Sequence, residues 1–210
     1  MKRPRPSLLH NRIDKWYSEA WKYESQLDES GYFALLDLEQ YVNGLIVEWN
    51  RLLDDRSRLS VHWWGKNLIN ENLDLPESFF ETNMALYLDT HFYLICWDSV
   101  KKNFEALVHQ ARKRRIGLAY RSVKTLLRDA SRARDFYEHA PDWGNRNHVV
   151  GIGGISSITG KDDTFSVTYP PKGTKPGQKF SAEWVELGRP EVLRITKAYE
   201  RVLKAFESLT

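Results

Sequence analysis

Four stretches of the chain carry apolar residues at steps of three and four, and this shared spacing constrains the fold more than any other feature. The stretches lie at about 33–54, 77–113, 120–143 and 190–210. Such spacing places the side chains along one face of an α-helix. The positions are Leu35, Leu38, Val42, Leu45, Trp49 and Leu52; Leu86, Tyr93, Trp97, Val100, Phe104 and Leu107; Tyr120, Val123, Leu127, Ala130, Arg134 and Tyr137; and Val192, Ile195, Tyr199, Val202, Phe206 and Leu209. Because these faces can be buried only against one another, the sequence predicts a mainly α protein built on a four-helix bundle.

The composition of the sequence changes between the third and fourth helical stretches. The runs HVVGIGGISSI, DTFSVTY and KFSAEWVEL are rich in β-branched and aromatic residues, and joins containing Gly, Asp or Pro separate them. Such runs favour strands, and such joins favour turns. The sequence therefore predicts a small antiparallel β flap of two or three strands at about 147–187, inserted before the last helix.

The length of 210 residues suits one domain with a substantial core. Residues 1–30 are predicted to form a solvated tail and a short helix that carries Trp16, Ala20 and Tyr23 on one side. Residues 31–210 are predicted to form the helical domain, including the β flap. Within it, the polar stretch at 55–75 is expected to be a connection with a short helical turn.

Composition excludes several classes of protein. Hydrophobic residues make up 41% and charged residues 28%, which excludes disorder throughout the chain. No run approaches the roughly 20 apolar residues of a membrane span, and the start of the chain lacks the apolar region of a signal peptide. Cys96 is the only cysteine, so no disulfide framework can form, and a cytoplasmic protein with no membrane partner is expected. The histidines form no helical pair, so no metal site and no cofactor are predicted.

The third helical stretch carries the candidate site. Arg134 occupies a position on its apolar face, where an arginine is rare because burying an unpaired guanidinium costs several kcal/mol. Pro141 disfavours the helical conformation of the residue before it, so the last turn is expected to loosen around His139. A loosened turn lets Arg134 and His139 converge on one cleft, with the polar Asp135 beside the arginine. Arg134, Asp135 and His139 are therefore the candidate catalytic residues.

The same residues carry a resemblance to a known family. RDFYEH, at 134–139, follows a long aromatic-rich helix containing LDTHFYLICWDSV and precedes the β flap and a terminal helix. This arrangement, over about residues 33–209, resembles the HEPN superfamily of helical bundles. Ribonuclease members of that family carry an arginine, a polar residue, a few further positions and a histidine at the end of a helix. By position, Arg134 matches the family arginine, Asp135 the polar residue and His139 the histidine.

The resemblance implies a HEPN-like bundle that cleaves RNA endonucleolytically without a metal ion, with two copies of the motif brought together across a homodimer. It also implies a toxin or defence effector with an antitoxin protein as a partner, since many bacterial relatives work that way. The residue types suit the reaction. Attack of a ribose 2′-hydroxyl on the adjacent phosphate needs a group that moves a proton near neutral pH, as His139 can, and a fixed cation for the developing charge, as Arg134 provides. Asp135 would orient one of the two.

A row of cations precedes the candidate site. The net charge of +3 is small, so a role with nucleic acid depends on where the cations lie. Arg121, Lys124, Arg128 and Arg132 step by three, four and four onto one helix face, after the basic run at 112–115. We call these four residues the cationic track and expect it to capture RNA electrostatically. The alternative is an ordinary solvated helix face.

The candidate site also has a structural alternative. Arg134 would then pair with a carboxylate such as Asp98 or Asp89, and His139 would cap the C-terminus of its helix, where the helix dipole favours it. Asp89 and His91 either line the cleft from the neighbouring helix or belong to the core.

Two other functions are compatible with the sequence. One is a catalytically silent HEPN-like bundle that binds RNA, a nucleotide or a protein partner. The other is a structural dimerisation module. A helical bundle alone cannot decide between these and a ribonuclease.

Overall fold

A computed structural model describes residues 11–64, 77–111, 113–138, 164–174 and 183–207. These residues are mainly helical, with a small antiparallel sheet, as predicted. The α-helices are α1 (Glu29–Trp64), α2 (Glu77–Ala111), α3 (Arg114–Arg121), α4 (Lys124–Glu138) and α5 (Arg189–Glu207), and a 3₁₀ helix spans Ala20–Gln26. The strands are β1 (Ser166–Tyr169) and β2 (Glu183–Glu186).

The predicted apolar faces form the core between the helices. Helix α1 packs along α2, α4 packs against α2, and α5 packs against α1 and α3. Every described member of the four faces is buried except Arg134, whose side chain is 26% exposed. Leu209 lies outside the described residues. The three-four spacing therefore identified the buried side of each helix.

Helix α1 is longer than predicted. Asp28 caps its start, since its carboxylate accepts a hydrogen bond from the Gly31 amide at 2.7 Å. The helix then continues to Trp64, so the predicted connection at 55–75 was wrong for residues 55–64, while residues 65–76 lie outside the described residues. The physical reason is that the sequence from 45 to 64 contains no glycine or proline, and polar residues alone do not end a helix.

The third predicted helix begins at Lys124 instead of Tyr120, and residues 120 and 121 end a separate short helix, α3, which was not predicted. Helices α3 and α4 meet at a turn at Ser122 and Val123 instead of forming one continuous helix over 120–143. The Ser122 hydroxyl donates a hydrogen bond to the Ala119 carbonyl at 2.7 Å, and Arg194 of α5 donates to the Ser122 carbonyl at 3.2 Å. Serine competes locally with helical hydrogen bonds, and here a neighbouring helix holds the turn. The predicted end near Pro141 lies outside the described residues.

The N-terminal segment lies against α1, where two asparagines hold its backbone. Asn43 accepts a hydrogen bond from the Tyr17 amide at 3.0 Å and donates to the Tyr17 carbonyl at 2.8 Å. Asn50 bonds the amide and carbonyl of Ile13 in the same way, at 3.0 and 2.9 Å. Each carboxamide thus satisfies the backbone amide and carbonyl of one residue of the segment, as a neighbouring β-strand would.

This anchoring corrects part of the prediction for residues 1–30. Ala20 and Tyr23 are buried as expected, but Trp16 is 65% exposed and does not share their side. The reason is that helical structure begins only at Ala20, so helical spacing does not apply to Trp16. Ile13 and Tyr17 are buried in the same core as α1, while residues 1–10, the predicted tail, lie outside the described residues.

The β flap is present as a two-stranded antiparallel sheet in the described residues. Strands β1 and β2 pair with Val167 opposite Val185, and both side chains are buried. The sheet packs against α4. The HVVGIGGISSI run, from which a further strand was predicted, lies outside the described residues.

A glycine in α1 permits the close approach of α2. A Cβ at Gly44 would lie 2.8 Å from Cys96 Sγ, whereas a Cβ at Gly117 of α3 would meet nothing within 4 Å. We expect Gly44→Ala to lower the free energy of unfolding by about 1–2 kcal/mol, because the overpacking cost exceeds the gain in helix propensity. Gly117→Ala, the matched control, should raise it by up to about 1 kcal/mol.

Urea denaturation of the two variants tests this contrast. Adding Cys96→Ala to Gly44→Ala should restore part of the lost stability, because it removes the sulfur that the new methyl group meets. An unchanged stability of Gly44→Ala would contradict the close packing.

Candidate functional site

Arg134 lies near the C-terminal end of α4, and carboxylates surround its guanidinium. Nη2 is 2.6 Å from Glu138 Oε2, and Nη1 is 3.1 Å from Asp135 Oδ1. Burial acts to lower the pKa of Arg134, but Asp135, Glu138 and Asp98 together raise it by more, so the net shift is upward. The guanidinium is therefore a permanent charge near the end of this helix. Its Nε atom is buried and makes no hydrogen bond among the described residues.

The ion pair of Arg134 matches the structural alternative in kind but not in partner. Asp98 is held by Lys102 Nζ at 2.7 Å and by the Ser131 hydroxyl at 2.6 Å, and Asp89 lies 3.9 Å from Arg51. The predicted direct partners were therefore wrong. The shorter contact is instead with Glu138, four positions along the same helix, where helical side chains are neighbours, and Asp135 adds a second contact.

A histidine from α2 lies on the other side of Glu138. His91 Nε2 is 4.0 Å from Glu138 Oε1, while the other oxygen of this carboxylate holds Arg134. The His91 side chain is 32% exposed, so it is not sealed in the core. His91 therefore lies beside the candidate site, and Glu138 lies between the imidazole and the guanidinium.

Tyr137 of α4 packs against aromatic side chains of α2 beside the candidate site. Tyr137 is buried, donates a hydrogen bond to the Tyr87 carbonyl at 3.1 Å, and packs on the Tyr87 ring with centroids 5.2 Å apart. Its ring also lies 6.2 Å from that of His91. Burial raises the pKa of Tyr137, so its hydroxyl stays protonated and acts as a donor near neutral pH. The register between α2 and the end of α4 is thereby set by Tyr137.

Of the other two predicted catalytic residues, Asp135 lies in the described part of the structure and His139 does not. The Asp135 side chain is 62% exposed and contacts the Arg134 guanidinium. His139 lies outside the described residues. In the sequence it directly follows Glu138, the last described residue of α4.

Internal contacts engage part of the cationic track. Arg132 is 3.1 Å from Glu183 of β2, donates to the Pro170 carbonyl at 3.0 Å, and lies over the Tyr169 ring at 4.7 Å. Arg128 pairs with Asp129 at 3.0 Å. Arg121 and Lys124 are exposed and form no ion pair within the described part of the chain. The structure therefore separates the track into a sheet-binding end and an open end near α3.

Sequence reasoning singled out His91 but missed Glu138. The available signal for Glu138 was its position four residues after Arg134, where opposite charges on a helix meet. The role of Arg132 against the sheet had no comparable signal, because its partners lie far along the chain, in the strands and at Pro170.

Asp98 is expected to make the stability of the protein sensitive to acid. Burial acts to raise its pKa, but hydrogen bonds from Lys102 and Ser131 and the charges of Lys102 and Arg134 outweigh it, so the pKa is below its ordinary value of 3.8. A carboxyl group whose pKa is lower in the folded protein than in the unfolded chain stabilises the fold at pH values above its pKa in the unfolded chain. This stabilisation is lost as the pH falls through the pKa of the folded protein. Asp98→Asn should therefore be less stable than the wild type at pH 7, with a smaller difference at pH 3.

Urea unfolding of both proteins at the two pH values measures this change. The exposed Asp37 of α1, replaced with asparagine, is the control, and its difference from the wild type should be small at both values. An equal difference for Asp98→Asn at pH 7 and pH 3 would contradict the coupling.

Comparisons with known proteins assign no family to the chain. A scan against protein-family models, a search of curated proteins and a search of solved structures each found no match. Among the described residues, no three His, Cys, Asp or Glu side chains are grouped so that they could hold a metal ion. None of the described helices is long and apolar enough to cross a membrane.

Proposed function

We propose that the protein is a metal-independent endoribonuclease of HEPN type, acting as a homodimer. The observation that supports it best is the permanently charged, partly exposed Arg134 near the end of α4, shortly before His139 in the chain. A permanent cation of this kind is suited to binding phosphate, and it is close in sequence to a residue able to transfer protons near neutral pH. The resemblance adds the four-helix bundle, the paired sites and the role as a toxin or defence effector with an antitoxin partner.

Each residue has a defined role in the proposed reaction. Arg134 stabilises the negative charge that develops on the phosphate as the ribose 2′-hydroxyl attacks it. His139 moves a proton during the attack or the departure of the leaving oxygen. Asp135 orients Arg134, with which it is in contact. No metal ion takes part.

The ion pair between Arg134 and Glu138 does not prevent this role. Both side chains are partly exposed, at 26% and 20%, so the pair contributes more than the ~0.3–0.5 kcal/mol of a fully exposed pair four residues apart on a helix. A phosphate forms stronger, bidentate hydrogen bonds with a guanidinium. In the proposed reaction, a phosphate of the RNA therefore takes the place of Glu138 at the guanidinium.

Incubation of the purified full-length chain with RNA, with and without EDTA, tests the proposal. Cleavage that persists in EDTA and disappears in His139→Ala is the expected result. Activity that requires a divalent metal ion, or that survives in His139→Ala, would contradict it. Thermal unfolding of the variant controls for loss of the fold.

A catalytically silent binding bundle is the second candidate, and the existing carboxylate partners of Arg134 favour it. In that case the guanidinium serves the helix and no reaction. RNA that is shifted in a gel but not cut, with binding unchanged in His139→Ala, would support this function over the ribonuclease.

A further inference from the structure

A groove at the junction of α2 and α3 is lined by cationic side chains that form no ion pair with any described residue. Its volume is about 320 Å³, and its lining residues are Val108, Lys113, Arg114, Gly117, Leu118 and Arg121. Among these described residues three are cationic and none is acidic. Uncompensated like charges around one concave surface favour the binding of an anion.

Lys113 is the least satisfied of the three cations. Its ammonium nitrogen is buried, lies over the Phe206 ring at 3.8 Å, and makes no hydrogen bond among the described residues. Burial lowers the pKa of Lys113, and no carboxylate offsets this effect. The aromatic ring compensates only part of the cost of removing an ammonium group from water. A bound anion would compensate more of it.

Arg114 and Arg121 supply guanidinium groups at the two ends of α3. Both side chains are exposed, and neither forms an ion pair in the described part of the chain. This distinguishes them from Arg128 and Arg132, whose charges are matched by Asp129 and Glu183. The planar fork of a guanidinium matches the oxygens of a phosphate group.

Apolar surface beside these cations limits the class of ligand. Leu118 is 51% exposed and Val108 is partly buried, and both line the groove. Gly117 lies between the cations and contributes no side chain, so the space beside it stays open. A groove of this volume is at the lower limit of small-molecule sites and is too small for a folded partner segment.

We propose that this groove binds a phosphate monoester attached to a small, partly apolar group, of which a nucleoside monophosphate is the simplest example. The phosphate, with a charge of about −1.5 to −2 at neutral pH, would contact Arg114 and Arg121, with the charge of Lys113 nearby, and the nucleoside would cover Val108 and Leu118. The ligand is either a free nucleotide or the phosphorylated 5′ end of an RNA. The site does not depend on the proposed ribonuclease activity, since it uses neither Arg134 nor His139.

Isothermal titration of the full-length protein tests the site with AMP, inorganic phosphate and a short RNA carrying either a 5′-phosphate or a 5′-hydroxyl. We expect AMP to bind more tightly than phosphate, and the double variant Arg114→Gln with Arg121→Gln to weaken binding at least about tenfold. Arg201→Gln, at an exposed arginine of α5, is the matched control and should bind as the wild type does.

Gly117→Leu tests the groove without changing its charge. A leucine would fill the open space, so AMP binding should be lost while thermal unfolding is unchanged or occurs at higher temperature. AMP binding identifies a free nucleotide as a ligand, whereas binding of the 5′-phosphorylated RNA alone identifies an RNA end.

Three outcomes would overturn the proposal. They are the absence of binding by every phosphate probe, binding that neither Gly117→Leu nor the double arginine variant weakens, and binding that Arg201→Gln weakens equally. Because the titrations can be repeated in His139→Ala, failure here is distinguishable from failure of the ribonuclease proposal.

Discussion

Arg134→Ala is expected to lower the rate of RNA cleavage by about 100-fold or more under the proposed mechanism. The guanidinium would stabilise charge that develops only in the transition state, and removal of one such donor commonly costs about 10²–10³ in rate. Arg134→Lys keeps a positive charge but loses the planar fork, so an intermediate loss is expected. Single-turnover cleavage of a labelled RNA in the presence of EDTA measures both variants.

A stability control separates this effect from a loss of folding. The side chains of Arg134 and Glu138 are only 26% and 20% exposed, so Arg134→Ala, which leaves Glu138 without its cation, should lower the free energy of unfolding by about 1–3 kcal/mol. Arg201→Ala on α5 removes an exposed arginine outside the site and should cleave RNA as the wild type does. Cleavage by Arg134→Ala at the wild-type rate would contradict the proposed role of Arg134 in the reaction.

Glu39→Leu is expected to lower the free energy of unfolding by about 3–5 kcal/mol. Glu39 is 9% exposed, and one of its oxygens accepts hydrogen bonds from the Glu19 amide at 2.8 Å, the Ala20 amide at 3.0 Å and the Tyr199 hydroxyl at 2.6 Å. Leucine would leave these donors without this acceptor, and each unsatisfied buried donor costs about 1–3 kcal/mol. A domain has only about 5–15 kcal/mol of stability, so the effect would be large.

Urea denaturation of Glu39→Leu and Glu39→Gln measures this contribution. Glutamine keeps a carbonyl acceptor at the same position and should lose less stability than leucine. Asp37→Leu, two residues earlier on the exposed side of α1, should change stability by about 0.5 kcal/mol or less. If Glu39→Leu and Asp37→Leu were equally stable, Glu39 would not hold the N-terminal segment and α5 against α1.

Helix positions and buried faces could be predicted because both follow from local spacing. Leu38, Trp49 and Tyr199 are buried because their three-four spacing places them on the apolar face of a helix, which turns by the same amount at every residue. The two-stranded sheet was predictable in kind from β-branched runs divided by turn residues. The candidate site was predictable only as a helix terminus with Arg134 in it, and the catalytic roles stay predictions.

Local spacing thus specifies most of the helices and the side of each helix that is buried, because apolar periodicity and helix geometry act over a few residues. Three features depend instead on how the helices pack: the turn at Ser122, the anchoring of Ile13 and Tyr17 by asparagines of α1, and the meeting of His91 with Glu138. Each of these involves hydrogen bonds or charges between residues far apart in the chain. Such contacts produce no regular spacing in the sequence. Packing, and not position along the chain, determines which partner satisfies a buried polar group.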